Sequence, residues 1–263
     1  LEFSSPLEGI HVLELADGRG EFAGRLLANL GAQVIKVEPP SGSPSRRIGP
    51  FYEDNAGPDK SIYWWQYNIG KQSVTLDYRT TKGLEVLNKL IDRTDVVIES
   101  LGPGGLEHSL GGWEAIHKRR PGLIVLSLSN FGLDGPWANY HGSDLIFLAL
   151  GGQMMTAGYP PGDDGIYDTP PIAPQMNQSG HIAGCIGTMD VLAALSWRDK
   201  TGRGQHIDLS MHAAANACTE NHLSWYIIGQ MISARRPQFP ELYTGDGKMM
   251  QVQIGLFRDE WDR

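Results

Sequence analysis

The first forty residues alternate between apolar runs and one amphipathic stretch. Ile10-His-Val-Leu-Glu-Leu15 leads into a loop carrying Gly18, Gly20 and Gly24, then an amphipathic segment from Phe22 to Leu30, then a second apolar run from Val34 to Val37. Short apolar runs on either side of a helical spacing predict strand, loop, helix, strand. Strands buried on both faces run parallel and are joined by right-handed crossovers. The loop after the first strand therefore opens at the carboxyl edge of a sheet, where open α/β folds take their ligands.

The rhythm continues after an interruption. Residues Pro39 to Lys60 are polar and rich in Pro and Gly, which predicts a surface excursion, with Tyr63, Trp64 and Trp65 anchoring its return to the body. Ser73 to Leu76 reads as a strand. Thr80 can cap a helix from Lys82 to Arg93, whose Leu84, Leu87, Leu90 and Ile91 share one face. A strand at Val96–Glu99 ends in Ser100-Leu-Gly-Pro-Gly-Gly105. A helix through Trp113 and Ile116 to His117 then leads to a strand at Leu123–Leu128. Strands alternating with helices in this way predict an α/β fold with a doubly wound parallel sheet, a Rossmann-like large domain.

Beyond Phe131 the pattern changes. A Gly/Asp/Pro loop precedes a short helix from Asp144 to Leu150, and a proline-rich loop of roughly thirty residues begins at Gly151, long enough to suggest a functional role. The longest helix runs from His181 to Lys200 and stops at Gly202. Gly202 to Asp208 forms a turn into a strand, and Met211 to Ile228 is helical again. From Ile232 onward the pattern weakens. Arg235 to Pro240 reads as a linker and Lys248 to Ile254 as a strand opening a second, smaller and incomplete domain, which divides the chain at 1–230 and 231–263.

Composition narrows the function. A chain of 263 residues, 41% hydrophobic and 20% charged, can bury one sizeable core. The net charge of −8 argues against nucleic acid as a partner. No apolar run approaches the roughly 18 residues of a membrane span. The first residues do not resemble a signal peptide, so a cytoplasmic protein with no membrane partner is expected. Cys185 and Cys218 lie within apolar helical patterns and read as buried free thiols. The eight histidines form no ligand-spaced pair, so no metal is expected.

The first loop imitates a dinucleotide fingerprint, with Glu38 as the ribose-binding acid at the end of the second strand. The imitation is imperfect. Its last glycine comes one residue late, Lys36 lies inside the second strand, and Glu21 would put a negative charge at the helix N-terminus where a phosphate should sit. A tight strand-to-helix turn without any ligand accounts for these glycines better than NAD does.

Five stretches together carry a more specific signal: Pro6-Leu-Glu-Gly-Ile-His-Val-Leu-Glu14, Leu30-Gly-Ala-Gln-Val-Ile-Lys-Val-Glu-Pro39, Asn68-Ile-Gly-Lys-Gln-Ser-Val-Thr-Leu-Asp77, Asp95-Val-Val-Ile-Glu-Ser-Leu-Gly-Pro-Gly104 and Leu192-Ala-Ala-Leu-Ser-Trp-Arg-Asp-Lys-Thr-Gly-Arg-Gly-Gln205. In this order and spacing they resemble the class III CoA-transferase (CaiB/BaiF) family, which includes formyl-CoA, carnitine-CoA and bile-acid-CoA transferases and 2-methylacyl-CoA racemase. The resemblance covers residues 6 to about 230, and family members are longer. It implies coenzyme A as acyl carrier, an acyl-CoA and a carboxylic acid as substrates, and an interlocked dimer with a homologous partner subunit. The family's CoA contacts fall on Gly18, Arg19, Leu76, Arg79, Ser100, Leu101, His108 and Met211. Arg79, at a strand exit, can meet a phosphate, and Leu76 and Leu101 can sandwich the adenine. His108 and His141 stand where many members carry Arg or Lys.

The resemblance also implies a nucleophile. In the family an Asp carboxylate attacks the thioester carbonyl, giving a mixed anhydride and CoA thiolate, and the acceptor acid then takes over the CoA ester. Counted back from Thr201, with Gly184 as a check, that position is Gly180, and no Asp or Glu occurs between Asp168 and Asp190. Asn177 and Ser179 are near but lack a carboxylate. The family's second acid is Asp144, equally well explained as a helix N-terminal acid that satisfies backbone amides. The expectation is a subunit of an acyl-CoA:carboxylate CoA-transferase whose nucleophile comes from a partner. A self-sufficient transferase or acyl-CoA isomerase using other groups, or a CoA-binding protein without turnover, remains open.

Overall fold

The computed structural model describes residues 5–235 and 241–251. The elements in order are β1 (His11–Leu15), α1 (Glu21–Asn29), β2 (Gln33–Glu38), α2 (Ile62–Asn68), β3 (Gln72–Thr75), α3 (Thr81–Ile91), β4 (Val96–Glu99), α4 (Gly105–Leu110), α5 (Gly112–Arg119), β5 (Ile124–Ser129), α6 (Asp144–Leu150), α7 (Gln178–Thr201), β6 (His206–Ser210), α8 (Met211–Asn216), α9 (Glu220–Gly229), β7 (Glu241–Tyr243) and β8 (Met249–Gln251). Six strands form one sheet in the order β3-β2-β1-β4-β5-β6. Every pairing within it is parallel. This is the doubly wound order, whose switch point lies between β1 and β4.

Alternation along the strands divides the core. Val12, Val34, Val96, Ile98, Ile124, Leu126 and Leu128 face the side covered by α1 and α7, with Ala23, Leu27, Ala183, Val191 and Ala194 packed against them. Leu13, Leu15, Val37, Val97 and Val125 face the other side and meet Leu87, Ile91, Leu106 and Ile116 of α3, α4 and α5. Helices on both faces are what let short strands such as Val96–Glu99 be buried throughout.

Two predicted helix-end residues hold, although α7 begins at Gln178, three residues before the expected His181. Thr80 accepts a hydrogen bond from the Gly83 amide and caps α3. Gly202 takes a left-handed φ of 72° at the end of α7. Other expectations need correction. Tyr63–Trp65 belong to a helix, α2, capped by Ser61. The helix α4, which begins at the end of the Gly102-Pro-Gly-Gly105 run, was not foreseen. The helical stretch after Met211 is two helices joined by a 3₁₀ turn at Ala217–Thr219. Cys185 and Cys218 are free but exposed. The first projects from the outer side of α7, where apolar residues continue around the helix past the buried stripe, and the second lies in the 3₁₀ turn. The strands β7 and β8 form an antiparallel hairpin separate from the large sheet. The rest of the expected linker, residues 236–240, and of the expected last strand, residues 252–254, lies outside the described residues.

Beneath the first loop lies a closed network of charges. Glu14 and Lys36 are register partners on β1 and β2. The Lys36 Nζ stands 2.7 Å from Glu14 Oε1 and 3.0 Å from Glu21 Oε1, and it donates to the Ala16 carbonyl at 2.7 Å. Lys71 Nζ lies 2.7 Å from Glu14 Oε2 and donates to the Glu21 carbonyl. Burial opposes the charge on Lys36, but the two carboxylates prevail and raise its pKa. For Lys71, burial wins and lowers it. Glu21 thus points inward to a lysine and to the Ser45 hydroxyl, and does not face a ligand.

Candidate functional site

The network settles what the glycines of the first loop are for. A Cβ at Gly24 would overlap the Glu14 carboxylate, and one at Gly20 would fall 3.1 Å from both Ile98 and Leu128 side chains, inside the α1–sheet contact. Two of the three fingerprint glycines are therefore required by packing. Glu38, the acid that a dinucleotide would need for its ribose, is already engaged. Arg46 grips it with Nε at 2.6 Å and Nη2 at 2.8 Å, and the Ser43 amide and Ser73 hydroxyl donate to it as well. Burial alone would raise the Glu38 pKa; these donors outweigh it and pull the pKa down to about 2.

Gly18 and Arg19 remain, and they face a cleft of about 560 Å³ at the switch point. Its walls come from the loop after β1, from Ile48 and Tyr63, from Gly102 and Pro103 after β4, from the 138–144 segment leading into α6, from Asn177 before α7, and from Met211 at the start of α8. Of the residues singled out in the sequence, Gly18, Arg19, Asp144 and Met211 line this cleft, and His141 joins them.

The two carboxylates of the cleft are both engaged. Asp17 holds Arg19 by Nε at 2.9 Å and Nη2 at 2.8 Å. The Ser100 hydroxyl donates to Asp17 while accepting from its amide. Burial pushes the Asp17 carboxyl up, but the Arg19 guanidinium more than compensates and holds its pKa below the usual carboxylate value. Arg19 also donates to the Ser100 carbonyl at 2.6 Å, so the loops after β1 and β4 are cross-braced. Asp144 accepts from the Ser179 amide at 2.8 Å and from its hydroxyl at 2.6 Å. The α6 acid therefore caps the first turn of another helix, α7, while Ser143 caps α6 itself.

Gly180 is buried in that first turn of α7. On one side His181 Nε2 pairs with the Tyr67 hydroxyl at 2.8 Å, and burial lowers the pKa of this imidazole. On the other side stands Asn177, which sequence reasoning passed over because it lacks a carboxylate. Asp17 was also missed. Its signal was its place immediately before Gly18-Arg19 at a strand exit.

The remaining predicted contacts form a second group on the α3–α4 side of the same carboxyl edge. Leu76 follows β3 and packs with the α3 side of the core. Arg79 is exposed and, among the described residues, pairs only with Asp77, at 2.9 Å. Leu101 follows β4, and its amide donates to Glu99 at 2.5 Å. Burial raises the pKa of Glu99 against the opposing effect of the Ser127 hydroxyl and the Leu101 amide. His108 is exposed on α4. Ser100 is buried between the two groups. Leu76 and Leu101 come from strands separated by β2 and β1, so an adenine held by both would lie across those two strand ends.

The sequence matches CoA-transferase family III over residues 7–255. The chain belongs to that family. It is similar to a formyl-CoA:oxalate CoA-transferase of Streptomyces avermitilis, 38% identical over 216 residues that make up 81% of this chain and 49% of that protein. It is also similar to a succinyl-CoA–L-malate CoA-transferase alpha subunit of Chloroflexus aurantiacus, 33% identical over 257 residues, 97% of this chain and 56% of that one. The crystal structure of a CAIB/BAIF family protein from Brucella suis superposes with a TM-score of 0.82 at 31% identity, covering 93% of this chain and 65% of that one. The chain thus spans about half the length of the curated relatives it matches. Among the described residues, no helix of this family III chain is long and apolar enough to cross a membrane.

Proposed function

We propose that this chain is the CoA-binding part of a subunit of an acyl-CoA:carboxylate CoA-transferase, and that it supplies no nucleophile of its own. The observation that carries this reading is the state of the cleft's acids. Asp17 is bound to Arg19, Asp144 is bound to Ser179, and position 180 is a glycine. A thioester in the cleft would meet donors and apolar surface from this chain, but no free carboxylate placed to attack it.

In this reading residues 1–230 hold the coenzyme and 231–263 begin a second unit. The CoA nucleotide lies over the Leu76–Arg79 and Leu101–His108 group, and the thioester end enters the cleft past Gly18 and Ser100. A homologous partner brings the catalytic Asp, and the acceptor carboxylic acid is handled there. Two features support a partner. The relative from Chloroflexus aurantiacus is named an alpha subunit. The outward sides of α7 and α9 expose the large apolar side chains of Met189, Trp197, Leu223, Ile227 and Ile228, which a partner could cover.

Calorimetry with CoA, an acyl-CoA and NADH tests the ligand. CoA and its ester should bind and NADH should not. Mass spectrometry after incubation with acyl-CoA tests the chemistry. An unmodified mass is expected, and an acyl adduct on Asp144 or any other carboxylate of this chain would replace this reading with a self-sufficient transferase.

A further inference from the structure

Asn177 is held in a left-handed conformation, φ 47° and ψ 53°, at the residue before α7. Its Nδ2 donates to the Gly18 carbonyl at 3.3 Å and to the Tyr63 hydroxyl at 3.2 Å. One carboxamide thereby ties the loop after β1, the helix α2 and the start of α7 together on the wall of the cleft. The same group occupies the space directly over Gly180. A Cβ built there would overlap Nδ2 and lie 2.7 Å from Cγ and 2.9 Å from Oδ1. The turn cannot swing aside freely, because Asp144 holds the Ser179 amide and hydroxyl two residues on.

We propose that Asn177 is the positioning residue of this cleft. Its amide N–H groups fix the Gly18 loop for the ligand, its carboxamide fills the place a side chain at position 180 would take, and its oxygen is the acceptor offered to the bound molecule. No described residue donates to that oxygen, and Asn177 is part of the cleft wall. An acceptor repels a carboxylate and receives an N–H. The pantetheine arm of CoA carries amide N–H groups next to the thioester, so the ligand class is an amide-bearing thioester. This ligand assignment rests on the CoA-binding reading above, whereas the clamp over Gly180 does not.

The experiment has two arms. In the first, Gly180→Ala, Asn177→Gly and the double variant are compared by thermal denaturation. Glycine preserves the left-handed turn at 177. Gly180→Ala alone should lower Tm, because its methyl meets the carboxamide. On the Asn177→Gly background the same change should raise Tm, because the clash is gone and alanine is the better helix former. Additive effects of the two changes would overturn the clamp. In the second arm, the wild type, Asn177→Gly and Asn177→Asp are titrated with CoA well below their Tm. Asn177→Asp keeps the size of the side chain but loses its donors, so a residue that only fills space would leave its affinity unchanged. Both variants should bind CoA more weakly by about tenfold, the scale of a lost hydrogen bond. Wild-type affinity in Asn177→Asp would overturn the positioning role. A wild-type protein that binds no CoA would overturn the ligand assignment, and the first arm would still decide the clamp.

Discussion

Two sets of charges sit a few residues apart at the carboxyl edge of this sheet, and the fold treats them in opposite ways. Glu14, Glu21, Lys36 and Lys71 are sealed under the first loop, with Lys36 and Glu14 side chains at most 1% exposed. Arg79 and Asp77 stand on the rim beyond β3, with the Arg79 side chain 76% exposed. The sealed set balances two positive charges against two negative ones within itself and has nothing left for a ligand. The rim set is open and pairs only locally. Charge at a strand end is thus no sign of a binding site by itself; what matters is whether the chain has already supplied its counterpart.

Removing a counterpart from the sealed set should have the largest effect on stability. Lys36→Met leaves Lys71 as the one remaining cation for both Glu14 and Glu21 in this buried network and strips Glu21 of its paired lysine, and breaking a buried ion pair from one side costs about 3 to 5 kcal/mol. Chemical denaturation should register that loss in full. A value below about 1 kcal/mol would place the network among the weak surface pairs.

The cleft acids come next. Asp144→Ala removes an acceptor from the Ser179 amide and hydroxyl, and hydrogen bonds to charged groups contribute about 1.5 to 3 kcal/mol. The loss should appear in denaturation as unfolding at lower denaturant with unchanged cooperativity. Asp144→Asn, which keeps one acceptor oxygen, should recover part of it. If neither variant shifts the midpoint, Asp144 is free to move, and its candidacy as a reactive carboxylate improves.

A smaller, pH-dependent effect belongs to Glu38. Its pKa lies at about 2 in the folded protein against an ordinary 4.5. The stabilisation is therefore fully present above pH 4.5 and is lost as the pH falls through the interval down to about 2. Arg46→Ala removes the bidentate donor and should flatten the acid limb of the stability profile between those values. An acid limb unchanged by the substitution would assign the lowered pKa to the Ser43 and Ser73 donors alone.

The comparison also explains what was legible in the sequence. The sheet was readable because β1, β2, β4 and β5 are largely apolar runs and the crossovers through α1, α3 and α5 carry helical spacing, and the chain order of those units leaves little freedom in topology. The sealed network left a trace as well. A glutamate inside His11–Leu15 and a lysine inside Gln33–Glu38 are each anomalous in a buried strand, and only as register partners do they make sense. The inward turn of Glu21 was not legible, because a helix-starting acid usually faces solvent or a dipole and its partner Lys36 comes from the neighbouring strand. The cleft was partly legible. Gly18, Arg19, Asp144 and Met211 were found through the family motifs, and Asp17 had only its place before Gly18 to mark it, whereas Asn177 depends on three-dimensional contacts with Gly18 and Tyr63 that no local spacing encodes.

Arg79 gives the smallest effect on stability and the cleanest separation of the two sets. Its guanidinium pairs with Asp77 two residues away, and this contact raises the Arg79 pKa and lowers that of Asp77. Both groups are in water, where such pairs contribute next to nothing to the fold, so Arg79→Ala should leave the unfolding midpoint where it was. A ligand phosphate changes the balance. It brings a charge that Asp77 only partly satisfies, and the planar fork of an arginine can meet phosphate oxygens in pairs. Arg79→Ala should then weaken CoA by about tenfold, and Arg79→Lys, which keeps the charge but loses the fork, should fall between the two. The loss should shrink in titrations at high salt, because the rim is screened. An Arg79→Ala protein that binds CoA as the wild type does would make Arg79 a surface residue and shift the phosphate contacts toward His108 and the loop at Gly102.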